Sequence, residues 1–156
     1  HITLLDSVSL LLFFPDVAYA FLYRAPTSFS EWVIYLGAAQ EITISYTLYR
    51  NFWWYNNLLF LEDIPLDIGL VIGISGSDEV ANPTTQMEYA KQIEEYRSTK
   101  KAELELMADG KEVIVAPVHS IVWPNYSHGQ ILMSLKTQKN LAKTLYQNET
   151  NLIVRS

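Results

Sequence analysis

The sequence predicts an α/β domain with a parallel sheet, because three short β-branched runs alternate with longer stretches of helical pattern. The runs lie at residues 2–6, 68–75 and 111–118. Alternation of this kind favours parallel strands joined by right-handed crossovers. With 156 residues and 49% hydrophobic side chains, the chain is able to bury one core. Three strands are few for a doubly wound sheet, so we expect a single, incomplete domain over residues 1–156.

The composition excludes several classes of function. A net charge of −6 leaves no basic stripe to neutralise nucleic-acid phosphates. The absence of cysteine removes disulfides, thiolate catalysis and cysteine-ligated zinc. No apolar run reaches the ~20 residues that span a bilayer, and no signal-peptide pattern precedes the first strand. The compartment is left open between intracellular and membrane-associated. The start at His1 favours a chain entered partway through a protein, or a processed or incomplete one.

Residues 15–60, called the aromatic segment below, predict two or three helices and hold most of the aromatic side chains. Ser28 or Ser30 is suited to cap a helix that has Glu31 in its first turn. From Trp32, apolar and small residues recur at i+3, i+4 and i+7. The simplest interpretation is a tightly packed helical layer. The alternatives are an apolar lid over a ligand site and a peripheral membrane contact, although few basic residues are present to bind lipid headgroups.

A polar linker over residues 62–67 leads into the second strand, which ends in small residues and the acid Asp78. A helix is then predicted from Pro83 to about Arg97. Its apolar residues are expected to be buried and its charged residues, Arg97 included, are expected to face water. Residues 98–110 are ambiguous between a turn and a further short helix.

The third strand, 111–118, is followed by a loop and by a final helix over about 130–146 that begins just after His128. Because the carboxyl ends of parallel strands meet at one edge of a sheet, Asp78 and His128 are expected to lie close together. An acid that accepts the Nδ1–H of an imidazole fixes its tautomer and leaves the other ring nitrogen as a general base.

Each of the two residues alone is more often structural, Asp78 as a cap or turn residue and His128 at a helix start. Their joint placement at the ends of consecutive strands favours an acid–base pair instead. His119 is the competing histidine. It ranks below His128 because it lies nearer the strand end and beside fewer small residues.

Several segments carry a resemblance to the α/β-hydrolase family. SGSDEVAN at 75–82 resembles the segment that bears the family's acid, and YSHGQIL at 126–132 resembles the loop that bears its base. ITLLDSVSLLLFFPDVAYAFLYRAP and RNFWWYNNLLFLEDIP resemble one branch of these hydrolases, from fungi and related eukaryotes, with an aromatic helical cap between the sixth and seventh strands. The chain is therefore similar to the C-terminal part of such an enzyme.

The resemblance implies that Asp78 orients His128, and that His128 acts as general base and then acid on an ester or lipid-like acyl substrate. It also implies that the aromatic segment is the cap and that no cofactor is used. No G-x-S-x-G pentapeptide occurs in the sequence, so the serine nucleophile is missing. We expect the nucleophile and the N-terminal half of the domain to lie upstream. The isolated chain is then catalytically silent and prone to aggregate through its unpaired sheet edge.

Two other functions stay open. A non-catalytic, hydrolase-like module would use the aromatic segment to bind an apolar ligand, a membrane surface or a protein partner. A nucleotide-responsive α/β domain would use Asp78 to bind magnesium, although the signals of phosphate-binding loops are absent. No metal site is expected from Glu62, Asp63 and Asp67, because they lack the spacing of a calcium-binding loop.

Overall fold

A three-stranded parallel sheet lies at the centre of the protein. The computed structural model describes residues 1–108 and 113–143. Within it, β1 (Ile2–Leu5) and β3 (Val118–Trp123) pair with opposite edges of β2 (Leu70–Ser75). All three strands run in the same direction, so their carboxyl ends lie at one edge of the sheet. The predicted α/β class with parallel strands is confirmed.

The third strand lies further along the chain than predicted. The expected range was 111–118, whereas β3 covers Val118–Trp123 and residues 113–117 form neither helix nor strand. Residues 111 and 112 lie outside the described part of the chain. Pro117 has no N–H to donate to a ladder, although its carbonyl accepts from the N–H of Leu70 at 3.1 Å. Regular pairing with β2 therefore begins only after this proline.

The helices predicted in the aromatic segment are present. They are α1 (Pro15–Leu22), α2 (Phe29–Ile34) and α3 (Ile42–Arg50). Ser28 is the N-cap of α2, since its hydroxyl accepts from the N–H of Glu31 and the Glu31 carboxylate accepts from the N–H of Ser28.

Shorter helical turns connect these helices to the rest of the chain. The π-helical turn Tyr35–Ala39 follows α2 directly. The 3₁₀ turns are Val8–Leu10, Trp54–Asn57 and Leu61–Asp63.

The helix after β2 is longer than predicted and one of its charged residues is buried. α4 spans Pro83–Met107 as one continuous helix, which resolves the ambiguity over residues 98–107. Arg97 was expected to face water but is only 3% exposed. Its guanidinium donates to the carbonyls of Ile68 at 2.8 Å, Ala116 at 2.9 Å and Pro65 at 3.1 Å. This contact secures α4 to the segments that enter β2 and β3.

The predicted final helix is divided into two pieces. α5 covers Gln130–Met133, and a second helical segment covers 135–143. Ser134 between them has an extended backbone, with φ −98° and ψ 104°. The predicted end of this helix, residues 144–146, lies outside the described part of the chain.

The hydrophobic core surrounds β2, whose six residues are all buried. Leu10 and Leu11 from the segment after β1 and Ile93 from α4 belong to this core and are at most 1% exposed. A strand covered on both faces is expected to be continuously apolar, as β2 is from Leu70 to Ile74. None of the helices in the described residues is both long and apolar enough to cross a membrane.

Candidate active site

Three ionisable side chains meet at the carboxyl edge of the sheet. Asp6 follows β1 directly, Asp78 follows β2 after a short turn, and His128 lies in the loop after β3. One oxygen of each carboxylate and one ring nitrogen of the imidazole all lie within 4.8 Å of one another. The parallel arrangement brings them together because each strand ends at this edge.

Asp78 and His128 form a direct hydrogen bond, so the predicted contact is present. The Oδ2 atom of Asp78 lies 2.8 Å from Nδ1 of His128. The other oxygen, Oδ1, accepts from the N–H groups of Val80 and Ala81, both at 2.8 Å. With its side chain fully buried, Asp78 is fixed in place by these bonds. The turn role weighed for Asp78 and its contact with His128 therefore coexist, one on each oxygen.

A close approach between two loops places Asp78 beside His128. Gly76 donates its N–H to the carbonyl of Trp123 at 2.8 Å, and Ser77 donates its N–H to the carbonyl of Tyr126 at 3.0 Å. A Cβ at Gly76 would lie 2.7 Å from backbone atoms of Pro124, so a larger residue would force the loops apart. The glycine in the turn after β2 thus permits the contact.

The backbone of His128 is held by a hydrogen bond to Glu79, and the residue that follows it has a conformation that favours glycine. The N–H of His128 donates to Oε2 of Glu79 at 3.1 Å. The next residue, Gly129, has a positive φ of 71°, a conformation that glycine adopts without strain. Nε2 of His128 has no hydrogen-bond partner among the described residues, and the side chain is 22% exposed. That nitrogen is therefore available to a substrate or a nucleophile.

The electrostatic surroundings favour the protonated imidazole. Burial is the largest single influence and lowers the pKa of His128. The hydrogen bond and negative charge of Asp78 act in the opposite direction, with smaller contributions from the charges of Asp6 and Glu79. Their combined effect exceeds that of burial, so the pKa of His128 lies above its ordinary value of 6.5.

Asp6 is a buried member of the site that sequence reasoning did not assign. Its carboxylate accepts from the N–H and the hydroxyl of Ser75, at 2.7 and 2.8 Å, and from the N–H of Gly129 at 2.9 Å. The signal that singled out Asp78, an acid near the end of an apolar strand, is equally present at Asp6, which follows β1 directly. His119, the competing histidine, lies within β3 and pairs with Val71.

Comparison with known proteins yields no matching family model, no similar curated protein and no similar solved structure. The site is therefore interpreted from its own geometry. Oxygens of Asp6 and Asp78 and a nitrogen of His128 are close enough together to be considered as metal ligands. Every one of those four oxygens already takes part in a hydrogen bond with a protein group, so the arrangement is that of a hydrogen-bonded network.

Two neighbouring cavities lie near this network, and the smaller of them reaches it. The larger has a volume of about 560 Å³ and only apolar lining residues, contributed mostly by residues 8–22 and otherwise by Leu48, Phe52, Trp54 and Val80. The smaller has a volume of about 290 Å³, and Asp78 and Glu79 are among its lining residues. Phe14, Val17 and Val80 line both. The apolar space is thus connected to the acidic group of the site through the lining that it shares with the smaller cavity.

Proposed function

We propose that this chain carries the acid and the base of a serine-type α/β-hydrolase that acts on an ester with an apolar, lipid-like acyl group. The observation that carries the proposal is the 2.8 Å contact between Oδ2 of Asp78 and Nδ1 of His128. The remaining ring nitrogen has no partner among the described residues, as a general base requires before substrate arrives.

The roles of the two residues follow from this contact. Asp78 accepts the Nδ1–H of neutral His128, which leaves the lone pair on Nε2. Nε2 takes the proton of a serine hydroxyl as the serine oxygen attacks the ester carbonyl, and Asp78 stabilises the imidazolium that forms. The Nε2–H then donates its proton to the departing alcohol. A water molecule releases the acyl group from the serine by the same two proton transfers.

The serine belongs to sequence that this chain does not contain, because no G-x-S-x-G segment is present. The apolar cavity of about 560 Å³ supports an apolar acyl group, because pockets of this size and lining suit small hydrophobic ligands. In this proposal, the aromatic segment is the cap over the bound acyl chain.

The experiment joins the chain to the coding sequence found upstream of it at its genomic locus. The extended protein is treated with a fluorophosphonate probe, which labels activated serines, and with p-nitrophenyl esters of increasing chain length. We expect labelling of the extended protein and none of the 156-residue chain. His128→Gln in the extended protein should slow labelling by at least about 10³-fold.

The matched control replaces the upstream elbow serine by alanine, which should abolish labelling without changing the fold. An upstream sequence that holds no elbow serine, or an extended protein that holds one and is not labelled, would show that the hydrolase proposal is wrong.

The same apolar cavity favours a second candidate, a non-catalytic module that binds an apolar ligand. This candidate predicts that the 156-residue chain binds a fluorescent fatty acid, such as cis-parinaric acid, while the extended protein is not labelled. If the extended protein is labelled and the 156-residue chain binds the fatty acid, the hydrolase is supported. If the 156-residue chain does not bind the fatty acid, the non-catalytic binding module is eliminated.

A further inference from the structure

A third carboxylate, that of Asp6, connects the ends of β1 and β2 to the loop after β3. Its side chain belongs to a residue that is only 5% exposed. Oδ1 accepts from the N–H of Ser75 at the end of β2, and Oδ2 accepts both from the Ser75 hydroxyl and from the N–H of Gly129. The N–H of Asp6 itself donates to the carbonyl of Gly73 at 2.9 Å. The acid–base pair described above does not account for this arrangement.

The bond to Gly129 is the one that reaches the base. Gly129 follows His128 directly, and its N–H lies 2.9 Å from Oδ2 of Asp6. A hydrogen bond to a carboxylate is stronger than one to a neutral acceptor. The loop that carries the imidazole is therefore attached to the sheet by a charged acceptor on its C-terminal side, while Glu79 accepts from the N–H of His128 itself.

We propose that Asp6 is a positioning residue, which holds the His128 loop so that the imidazole faces Asp78 and which stabilises the protonated ring by its charge. The proposal rests on the proposed function, because it assigns Asp6 a role in setting the state of the base. Three carboxylates surround the imidazole: Asp78 makes the direct contact, and Asp6 and Glu79 act through their charges.

The backbone conformation at Asp6 suits an aspartate or asparagine side chain. Asp6 has a φ of 45°, and it is the single non-glycine residue with positive φ among those described. Asp and Asn tolerate this conformation better than other side chains. Asp6→Asn is therefore the sharpest variant, since it keeps the size and the backbone preference and removes the charge.

The experiment follows the ring nitrogens of His128 by NMR as a function of pH in the complete 156-residue chain labelled with ¹⁵N-histidine. In Asp6→Asn we expect the pKa of His128 to fall. The neutral ring should also lose part of its preference for the Nδ1–H tautomer, and the amide proton of Gly129 should shift upfield. A purely structural role for Asp6 would lower stability without changing the tautomer or the pKa of His128.

The controls are in the same molecule and in matched variants. His1 and His119 serve as internal references. Asp16→Asn removes an exposed carboxylate from α1 that does not contribute to the pKa shift of His128, so it should leave His128 as in the wild type. Asp78→Asn should lower the pKa of His128 by the loss of the direct contact.

A second measurement needs no variant and applies even if Asp6→Asn fails to fold. In the wild type, the ¹³Cγ resonance of Asp6 should show an inflection at the pH where His128 titrates, because the charge of the imidazolium acts on the carboxylate near it. An unchanged His128 in Asp6→Asn, or no such inflection, overturns the role of Asp6. If Asp78→Asn nevertheless lowers the pKa of His128, the proposed acid–base pair still stands; if neither variant has an effect, both proposals fall.

Discussion

At the residue scale, the imidazole of His128 is governed by two opposing effects. Its partial burial disfavours the charged ring, whereas the carboxylates of Asp78, Asp6 and Glu79 favour it, and the carboxylates together prevail. A base with a raised pKa is a stronger proton acceptor, but the imidazole is neutral and able to accept a proton only above that pKa. The hydrolase activity proposed above should therefore increase as the pH rises through the pKa of His128.

The same pKa predicts a pH dependence of stability. The pKa of His128 is higher in the folded protein than the ordinary 6.5 of the unfolded chain. The stabilisation by the charged pair is thus fully present below about pH 6.5 and is lost as the pH rises through the folded-state pKa. We expect the wild type to be more stable than His128→Gln below about pH 6.5. This difference in unfolding free energy should decrease as the pH rises through the pKa of His128.

Urea denaturation at constant ionic strength from about pH 5 to about pH 9 measures this difference. His119→Gln is the matched control, and its difference from the wild type should not follow the titration of His128. A wild-type advantage over His128→Gln that increases with pH would contradict the assigned direction of the pKa shift.

At the scale of elements, the turn after β2 and the loop after β3 must approach closely for the site to form. Backbone hydrogen bonds connect Gly76 to Trp123 and Ser77 to Tyr126. The absence of a side chain at Gly76 makes this approach possible, since any Cβ would overlap the backbone of Pro124. Backbone atoms cannot rotate away as the end of a side chain can, so the loops themselves would have to move.

We expect Gly76→Ala to lower the unfolding free energy by about 1–3 kcal/mol and to weaken the contact between Asp78 and His128. The matched control is Gly37→Ala in the aromatic segment, because a Cβ at Gly37 meets nothing within 4 Å. Gly37→Ala should be neutral or stabilising by up to about 1 kcal/mol. Urea denaturation gives the free energies, and the NMR titration of His128 reports the contact. Equal effects of the two substitutions would show that the close approach at Gly76 does not matter.

At the scale of the whole molecule, the aromatic segment exposes much of its apolar surface. The side chains of Phe29 and Ile42 are 85% and 84% exposed, and those of Tyr46 and Trp53 exceed half. Apolar exposure of this extent is typical of surfaces that bind a partner, a ligand or a membrane.

Within the described residues, no strand pairs with the outer edges of β1 and β3. Unpaired strand edges of this kind are able to pair with another copy of the chain. The expected aggregation of the isolated chain stays a prediction.

The apolar cavity allows the ligand class to be tested independently of catalysis. Ala18 of α1 is a lining residue of this cavity and its side chain is exposed. We expect Ala18→Phe to occupy part of the space and to weaken binding of cis-parinaric acid by about tenfold or more. Thr47→Phe adds the same ring at an exposed position of α3 that does not line the cavity, and it should bind as the wild type does. Fluorescence titration measures both affinities, and equal weakening by the two substitutions would argue against this cavity as the binding site.

The order of residues along the chain was sufficient to predict much of the fold and the contact between Asp78 and His128. The alternation of apolar runs with helical stretches predicted the parallel sheet, and the positions of Asp78 and His128 after successive strands predicted their contact. These inferences succeeded because burial on both faces of a parallel strand and the common edge of the sheet leave a signature in the order of residues. The roles of the two residues in hydrolysis stay predictions.

Other features depended on groups that are distant in the sequence. The sequence predicts Arg97 as a solvated charge on its helix. In the structure it is buried, and its guanidinium donates hydrogen bonds to the carbonyls of Pro65, Ile68 and Ala116. Asp6 likewise obtains its donors from Ser75 and Gly129, far along the chain.

A buried charge is stable only where partners replace its water, and only the tertiary structure brings those partners to it. Sequence order alone was therefore enough to predict Asp78 and His128 at one edge of the sheet. The three-dimensional packing decided that Arg97 is buried and that a third carboxylate joins the site.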